Sequence, residues 1–382
     1  MRIHLLVGAL GLLAPVTSAQ SARYRDPVFA QVQVQTNIAY GSAVHRFTNL
    51  TETLRLDLYQ PQGDAASARA AIVIVHGGGF TGGDKATAQM VQQGRSFARR
   101  GYVAVSINYR LAPNGSGITR QVITDAAHDC KAAIRWLRAQ AATLHIDTDR
   151  IASIGSSAGG YTVLEASYVP GEGTSGNPGF PSHVAAVIDQ WGALADLNEL
   201  QAGEVPVCIV HGTNDGTVPY THATDLKARA DLVGVTAELH PIQGAGHAPW
   251  SAYFAAYEVE VLAFLWEQLR LGQLAGLALR PGYGSPGSVT VDTFGSASDV
   301  SALCLAATAT SLPWPGMGVL CLDPGSLVHV ATAPLPGAPR IATTAVTLPV
   351  PDGLAGFSLP WQALHLAAGT ARTLTNCVVT SF

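Results

Sequence analysis

Charged side chains are scarce in this chain of 382 residues: Asp, Glu, Lys and Arg make up 13% of it, against 48% hydrophobic residues. This composition excludes global disorder and allows a large buried core. The net charge of −4 provides no basic footprint for nucleic acid or for an anionic membrane surface. We therefore expect a globular protein without a nucleic-acid partner.

Cysteine is also rare, and its five residues show no CxxC or Cys/His spacing of a zinc site. Cys130 falls in a helical pattern and Cys208 in an apolar strand pattern, and both suit small buried positions. The remaining three lie in the C-terminal third, where one disulfide would suit an exported chain and the sequence leaves its pairing open. These three are Cys304, Cys321 and Cys377.

A long apolar run is missing at the N-terminus, where Leu5–Val16 is too short to span ~30 Å of hydrocarbon and contains Pro15. Arg2 precedes this run, and the small residues Thr17–Ala19 follow it. This order is typical of a secretory signal peptide rather than a membrane anchor. We predict a cleaved signal over residues 1–19, no stable membrane insertion, and a secreted, periplasmic or cell-surface location.

Short apolar runs alternate with helical patterns from about residue 40 to residue 270, which indicates an α/β fold. Near-continuous apolar character predicts strands buried on both faces of a parallel sheet, at 71–75, 102–107, 151–155, 184–189, 205–210 and 236–240. Helical patterns lie at 85–100, 121–142, 158–168, 221–233 and 249–271. Two alternating segments, 32–40 and 53–61, predict antiparallel strands that open the sheet. We assign a catalytic domain to residues 20–272.

The C-terminal region after residue 271 contains no Lys and no Glu. A joint rich in Gly, Pro and Ser, "RPGYGSPGS", occupies residues 280–288, and we assign a linker to 273–288. Short runs of period two follow, separated by Pro and Gly. They predict a small all-β, sandwich-like domain over 289–382.

The stretch "GSSAG" fits the pattern G-x-S-x-G, in which a sharp turn between strand and helix exposes a nucleophilic serine. Ser157 has the required glycines on both sides, Gly155 and Gly159, whereas Ser156 is flanked by Ile154 and Ala158. An apolar strand pattern precedes the motif and a helical pattern follows it. The alternative for this stretch alone is an ordinary tight connection from strand to helix.

The glycine run of His76-Gly77-Gly78-Gly79 follows the first strongly apolar strand. Backbone N–H groups of such a run can stabilise the oxyanion that forms during acyl transfer. Phosphate binding is the alternative, but no G-x-x-x-x-G-K-[ST] or G-x-G-x-x-G motif is present, and Lys85 has no hydroxyl residue beside it.

A base and an orienting acid would follow Ser157 in the order Asp, His, each in a loop after a strand. Asp215 and His247 occupy such positions, although either alone could be an ordinary turn aspartate or histidine. The four features together favour a catalytic triad. A metal at His145, Asp147 and Asp149 is disfavoured, since "IDTDRI" is more typical of a turn before a strand.

Residues of about 38–270 resemble the α/β-hydrolase superfamily, in the esterase branch with an HGGG motif that includes hormone-sensitive-lipase-like and feruloyl-esterase-like carboxylesterases. Matching phrases include "GYVAVSINYRLAP" and "VCIVHGTNDGTVP". The resemblance implies that Ser157 is the nucleophile, His247 the general base and Asp215 the orienting acid. It also implies oxyanion donors at the backbone N–H groups of Gly78, Gly79 and Ala158, and a reaction without metal or organic cofactor.

Four aromatic residues adjoin these strand ends and could line the substrate pocket or belong to the ordinary core: Phe80, Tyr161, Trp191 and Trp250. The chain between Ser157 and Val184 is too short for a large lid, which predicts an open site. We expect a secreted serine carboxylesterase acting on short-chain, acetyl or aromatic (feruloyl-type) esters, of small molecules, plant polysaccharide or polyester. The alternatives are a serine peptidase of the same fold and a non-catalytic binding protein. The C-terminal domain could attach the protein to polysaccharide or to a cell surface.

Overall fold

The computed structural model describes residues 23–272 and ten strand segments beyond them. The chain divides into two compact units, one of which is Ser21–Leu274, and the ten strands belong to the other. The predicted signal peptide and most of the predicted linker lie outside the described residues, so both stay predictions. Within the described part of the chain, every helix is too short or too polar to cross a lipid bilayer.

An eight-stranded sheet forms the centre of the first unit, in the order β1-β2-β4-β3-β5-β6-β7-β8. β2 is antiparallel to both of its neighbours, β1 and β4, and the strands from β3 to β8 are parallel to one another. The strands are β1 Val32–Val44, β2 Thr51–Pro61, β3 Arg69–Val75, β4 Val103–Ile107, β5 Ile146–Ser156, β6 Ala186–Gln190, β7 Val207–Gly212 and β8 Ala237–Ile242. The predicted α/β fold with a mostly parallel sheet is confirmed.

Helices connect the parallel strands, as the alternating pattern predicts. They are α1 Ala88–Arg99, α2 Arg120–Ala139, α3 Ala141–Leu144, α4 Ala158–Tyr168, α5 Thr221–Val233, α6 Trp250–Ala252 and α7 Glu258–Gln268. The pattern at 249–271 predicts one helix, but a π-helical segment, Tyr253–Tyr257, separates α6 from α7. β5 also begins earlier than predicted, because Ile146 pairs with Arg69 across an irregular stretch.

The core of this unit follows from the continuous apolar runs. Every residue of β3, β4, β6 and β7 is buried, which a parallel sheet covered on both faces requires. Cys130 and Cys208 are both fully buried, as their patterns predict. Polar side chains enter this apolar interior at the carboxyl ends of the strands, among them Asp189 and His211. Ligands of open α/β sheets bind at that edge.

The second unit consists of antiparallel strands over its described residues. Three sheets have the orders β15-β10-β9, β14-β11-β16-β17 with β18 on β16, and β12-β13. The strands are β9 Leu277–Arg280, β10 Ser288–Ser296, β11 Val300–Leu305, β12 Ala309–Trp314, β13 Gly318–Leu322, β14 Val328–Pro334, β15 Ile341–Pro349, β16 Ser358–Ala367, β17 Thr370–Leu374 and β18 Val378–Ser381. Cys377 lies outside the described residues, so the disulfide and the sandwich arrangement stay predictions.

Candidate active site

Ser157 lies at the turn between β5 and α4, at the carboxyl edge of the sheet. Its φ of 53° falls in the left-handed region that non-glycine residues rarely occupy. Its backbone N–H donates to the carbonyl of Gln190 at the end of β6 (2.8 Å). The turn is therefore fixed against the neighbouring strand, with Ser157 immediately before the first residue of α4.

The glycines of the motif are required by close backbone contacts. A Cβ on Gly155 would lie 2.0 Å from the carbonyl oxygen of Gly159, and a Cβ on Gly159 would lie 2.1 Å from that of Val75. Real Cβ atoms do not approach backbone oxygens this closely, so neither position accepts a larger residue without movement. The close backbone packing at Gly155 and Gly159 thus explains why the residues two positions before and after Ser157 are glycines.

His247 contacts both other members of the predicted triad. Its Nε2 lies 2.9 Å from Ser157 Oγ, and its Nδ1 lies 2.7 Å from Asp215 Oδ2. A nitrogen beside a carboxylate carries the proton, which leaves Nε2 free to accept from the serine hydroxyl. Loops after β5, β7 and β8 bring the three side chains together, although they are far apart in the chain.

Asp215 is held by several donors at once. Its Oδ1 accepts from the backbone N–H groups of Thr217 (2.8 Å) and Val218 (2.9 Å). Burial would raise the pKa of Asp215, but the hydrogen bonds from His247 and from these two amides outweigh it, so the net pKa is lowered. The carboxylate is consequently ionised and aimed at His247.

Sequence reasoning missed His211, the fully buried residue near the end of β7 that also reaches Asp215. Its Nε2 lies 3.3 Å from Asp215 Oδ2 and 2.9 Å from the carbonyl oxygen of Val218. The only signal in the sequence is its place in "HGTND", four residues before Asp215. That spacing carries no contact information without the loop conformation.

The glycine run after β3 turns sharply beside the serine. Gly78 and Gly79 have φ values of 121° and 61°, and the Gly78 carbonyl accepts from the N–H groups of Thr81 and Gly82 (both 3.1 Å). Gly78, Gly79 and Ala158 all line the cavity that contains Ser157. Ala158 is the first residue of α4, so its N–H has no intrahelical acceptor. The structure thus brings the three predicted oxyanion donors to one cavity.

His76 fixes the glycine run after β3 through three contacts. Its ring stacks on Tyr109 at 4.5 Å, its Nδ1 lies 2.7 Å from the Gly77 carbonyl oxygen, and its own carbonyl accepts from the Tyr109 hydroxyl (3.1 Å). Burial lowers the pKa of His76, so the ring is neutral at physiological pH. These contacts fix the start of the glycine run against Tyr109.

Lys85 forms a buried ion pair and does not line the cavity. Its Nζ lies 2.9 Å from Asp57 Oδ1, both side chains are almost fully buried, and its backbone N–H donates to Asn108. A lysine paired in this way is not available to a phosphate. The geometry therefore disfavours the nucleotide alternative for this glycine-rich loop.

The cavity beside Ser157 has a volume of about 450 Å³. Tyr161, Trp191 and Trp250 line it, with the two indoles edge-on at 4.8 Å. Phe80, by contrast, is fully buried outside the lining, because its ring packs edge-on behind Tyr161 at 6.3 Å. The sequence did not indicate eight further lining residues, namely Gly83, Thr87, Gln89, Met90, Ile118, Thr217, Val218 and Ala248.

The connection from α4 to β6 stays away from the cavity. Lys131 Nζ donates to the carbonyls of Val169 (2.6 Å) and Gly171 (2.5 Å), and Arg135 donates to that of Gly176. These two cationic side chains of α2 therefore hold the connection between α4 and β6 against α2. None of residues 169–185 lines the cavity.

Asp189 lies fully buried at the end of β6, next to the serine turn. Its Oδ1 accepts from the Gly192 N–H (2.9 Å), and a Cβ on Gly160 would lie 2.3 Å from the same oxygen. Burial raises the pKa of Asp189 to about 7, and the Gly192 bond offsets this only in part. A carboxyl group therefore sits in the interior against the first turn of α4.

Sheet order, serine turn and glycine run together decide the class of fold. The unit Ser21–Leu274 has the α/β-hydrolase fold. The BD-FAE family model matches residues 56–204, which include the glycine run and the serine turn.

Two comparisons with solved structures agree. An esterase from Thermogutta terrifontis, solved with propionate bound, superposes with a TM-score of 0.52 at 26% identity, covering 61% of this chain and 93% of that one. A truncated carbohydrate esterase from gut microbiota gives 0.53 at 25% identity, covering 64% and 98%.

A curated relative, the ethyl acetate hydrolase of Pseudomonas putida, is 37% identical over 114 residues. The match covers 28% of this chain and 32% of that relative. The chain thus spans about a third of that relative's length.

Proposed function

We propose that the α/β-hydrolase unit is a serine carboxylesterase that works through Ser157, His247 and Asp215. The observation that carries this proposal is the continuous hydrogen-bonded series from Ser157 Oγ through His247 to Asp215, at distances of 2.9 and 2.7 Å. This series ends in a cavity that also contains three candidate oxyanion donors. Nucleophile, base, acid and oxyanion site are thereby present together.

The reaction follows from this arrangement. His247 Nε2 takes the proton from Ser157 as the hydroxyl oxygen attacks the ester carbonyl, and Asp215 stabilises the imidazolium that results. The backbone N–H groups of Gly78, Gly79 and Ala158 receive the negative oxygen of the tetrahedral intermediate. His247 then protonates the leaving alcohol, and water hydrolyses the acyl-enzyme by the reverse sequence.

We propose short-chain, acetyl or aromatic esters as the substrates. The aromatic lining of Tyr161, Trp191 and Trp250 suits a planar or small group, and no segment between α4 and β6 covers the cavity. The propionate-bound esterase and the ethyl acetate hydrolase among the similar proteins support short acyl groups. The carbohydrate esterase supports esters on polysaccharide.

The test measures release of p-nitrophenol from acetate, butyrate and laurate esters, with methyl ferulate and acetylxylan alongside. We expect turnover to fall with chain length, and Ser157→Ala to lower kcat by ~10⁴-fold or more. Ser156→Ala is the matched control, and we expect it to lower kcat by less than about tenfold. Equal activity in folded Ser157→Ala would refute the proposal, and faster cleavage of p-nitroanilides would favour a peptidase.

We also propose export, from the N-terminal pattern of Arg2, Leu5–Val16 and the small residues before Gln20. The second unit would then attach the protein to polysaccharide or to a cell surface. N-terminal sequencing of the mature protein tests the first proposal, with a start at Gln20 expected and an uncleaved Met1 contradicting it. Retention of the full chain on insoluble xylan tests the second, and quantitative recovery in the unbound fraction contradicts it.

A further inference from the structure

His211 is the one fully buried histidine beside the triad among the described residues. Its Nε2 lies 2.9 Å from the carbonyl oxygen of Val218 and 3.3 Å from Asp215 Oδ2. Its ring packs edge-on against Tyr220 at 5.9 Å. The side chain therefore faces both ends of the short turn that carries Asp215.

The neighbours of His211 determine which of its two ring nitrogens carries the proton. Both atoms near Nε2 are acceptors only, so Nε2 carries the hydrogen. Nδ1 is buried and has no hydrogen-bond partner among the described residues. A second proton on Nδ1 would be a buried, unsatisfied donor, which is costly. His211 is therefore a neutral imidazole with a single N–H.

The charged surroundings of His211 agree with a neutral ring. Burial lowers the pKa of His211 most strongly; the Val218 carbonyl and Asp215 oppose this, and His247 and His222 add to it. His222 is the titratable group that faces it from α5, and it is exposed. These are the groups on which a pH response of His211 would depend.

We propose that His211 is a positioning residue of the esterase reaction, whose Nε2–H donates to the Val218 carbonyl and lies in electrostatic contact with Asp215 Oδ2. Asp215 Oδ1 is already fixed by the N–H groups of Thr217 and Val218, so the added contact fixes the rotation of Oδ2 toward His247 Nδ1. The inference rests on the proposed function, because it assigns a role within that triad.

The contact has an electrostatic consequence as well. Asp215 Oδ2 is hydrogen-bonded to His247 Nδ1 and faces the positive end of the His211 N–H dipole at 3.3 Å. Without His211 the carboxylate would lose this electrostatic contact and would stabilise the imidazolium form of His247 more strongly. The rate depends on neutral His247, so the acid limb of the pH profile of kcat/KM would move to higher pH.

The test compares His211→Gln with His211→Asn. Both are neutral amides, but only the longer Gln places an N–H near the position of Nε2. We expect Asn to lower kcat by about tenfold with KM within twofold, and its acid limb to move up by about half a pH unit. We expect Gln to restore the wild-type limb and to lower kcat by no more than about threefold. His222→Gln is the matched control and leaves both unchanged.

A wild-type measurement is independent of the variants and of activity. Imidazole ¹⁵N chemical shifts of His211 should report the Nε2–H tautomer from pH 5 to pH 8. An imidazolium or an Nδ1–H tautomer would overturn the proposal even if the variants fail to fold. An unmoved limb in folded His211→Asn would also overturn it. Either of these results would overturn the role of His211 only. If Ser157→Ala still abolishes esterase activity, the proposed function stands.

Discussion

The two sides of the candidate site are held in place by different physics. On the nucleophile side, backbone packs against backbone so closely that a single methyl group on Gly155 or Gly159 has no room. On the base side, Asp215 is fixed by hydrogen bonds, and a Cβ on Gly216 or Gly246 would meet no atom within 4 Å. The first side should therefore be damaged by added atoms, and the second by lost polar groups.

Asp215→Asn should produce the largest effect, because it breaks the base side without disturbing its backbone. An amide NH₂ cannot accept from His247 Nδ1, so the ring takes the other tautomer and its Nε2 no longer accepts from Ser157. We expect kcat to fall by ~10⁴-fold with little loss of thermal stability, as in other triads. Steady-state kinetics and thermal unfolding check this, and a kcat within tenfold of wild type would contradict it.

Asp215→Asn should also change how the unfolding free energy depends on pH in the acid range. The pKa of Asp215 is lowered in the folded protein, so its contribution is present above its ordinary pKa and is lost as the pH falls below it. Wild type should therefore lose more unfolding free energy than Asp215→Asn between pH 5 and pH 3. Urea unfolding at both pH values measures the difference.

Gly159→Ala should damage the nucleophile side by steric displacement. Its new Cβ would lie 2.1 Å from the Val75 carbonyl oxygen, so the serine turn must move. We expect kcat/KM to fall by ~10²-fold or more and the unfolding free energy by ~3 kcal/mol.

Gly216→Ala is its matched control on the base side, where nothing lies within 4 Å of the added methyl group. We expect its kcat/KM to stay within about threefold of wild type. Comparable losses in Gly159→Ala and Gly216→Ala would remove the distinction between the two sides.

Asp189→Asn should have a smaller effect, which we expect on the pH dependence of stability and not on activity. Because burial raises its pKa to about 7, folded Asp189 keeps a proton that the unfolded chain has released above about pH 4. Unfolding free energy should thus fall as the pH rises from 4 toward 7. We expect the asparagine variant to lose ~2 kcal/mol less than wild type between pH 5 and pH 8. Identical losses in urea unfolding would contradict this.

Much of the fold could be predicted because apolar runs report burial directly. The predicted bounds of 158–168 and 221–233 coincide with α4 and α5. The last helix differs because periodicity cannot reveal an extra residue in one turn. That turn brings Tyr253 edge-on to Trp191, a partner at the end of β6, so the reason for the π-helical segment is tertiary.

The parts of the candidate site that a local sequence pattern encodes could be predicted. Glycines around Ser157 and in the run after β3 mark backbone turns, and such turns are encoded within a few residues. His211 and Lys85 could not be assigned in this way, because their partners Val218 and Asp57 are set by loop conformation and strand pairing. Phe80 shows the same limit, since its neighbour Tyr161 lies on another element.

Labelling with a fluorophosphonate probe, followed by peptide mass spectrometry, tests the central claim most directly. The glycine packing and the 2.9 Å contact with His247 support Ser157, rather than the adjacent Ser156, as the proposed nucleophile. We predict one adduct per folded chain, on Ser157, that is lost in Ser157→Ala and retained in Ser156→Ala. An adduct on Ser156, or no adduct on folded wild-type protein, would contradict the account.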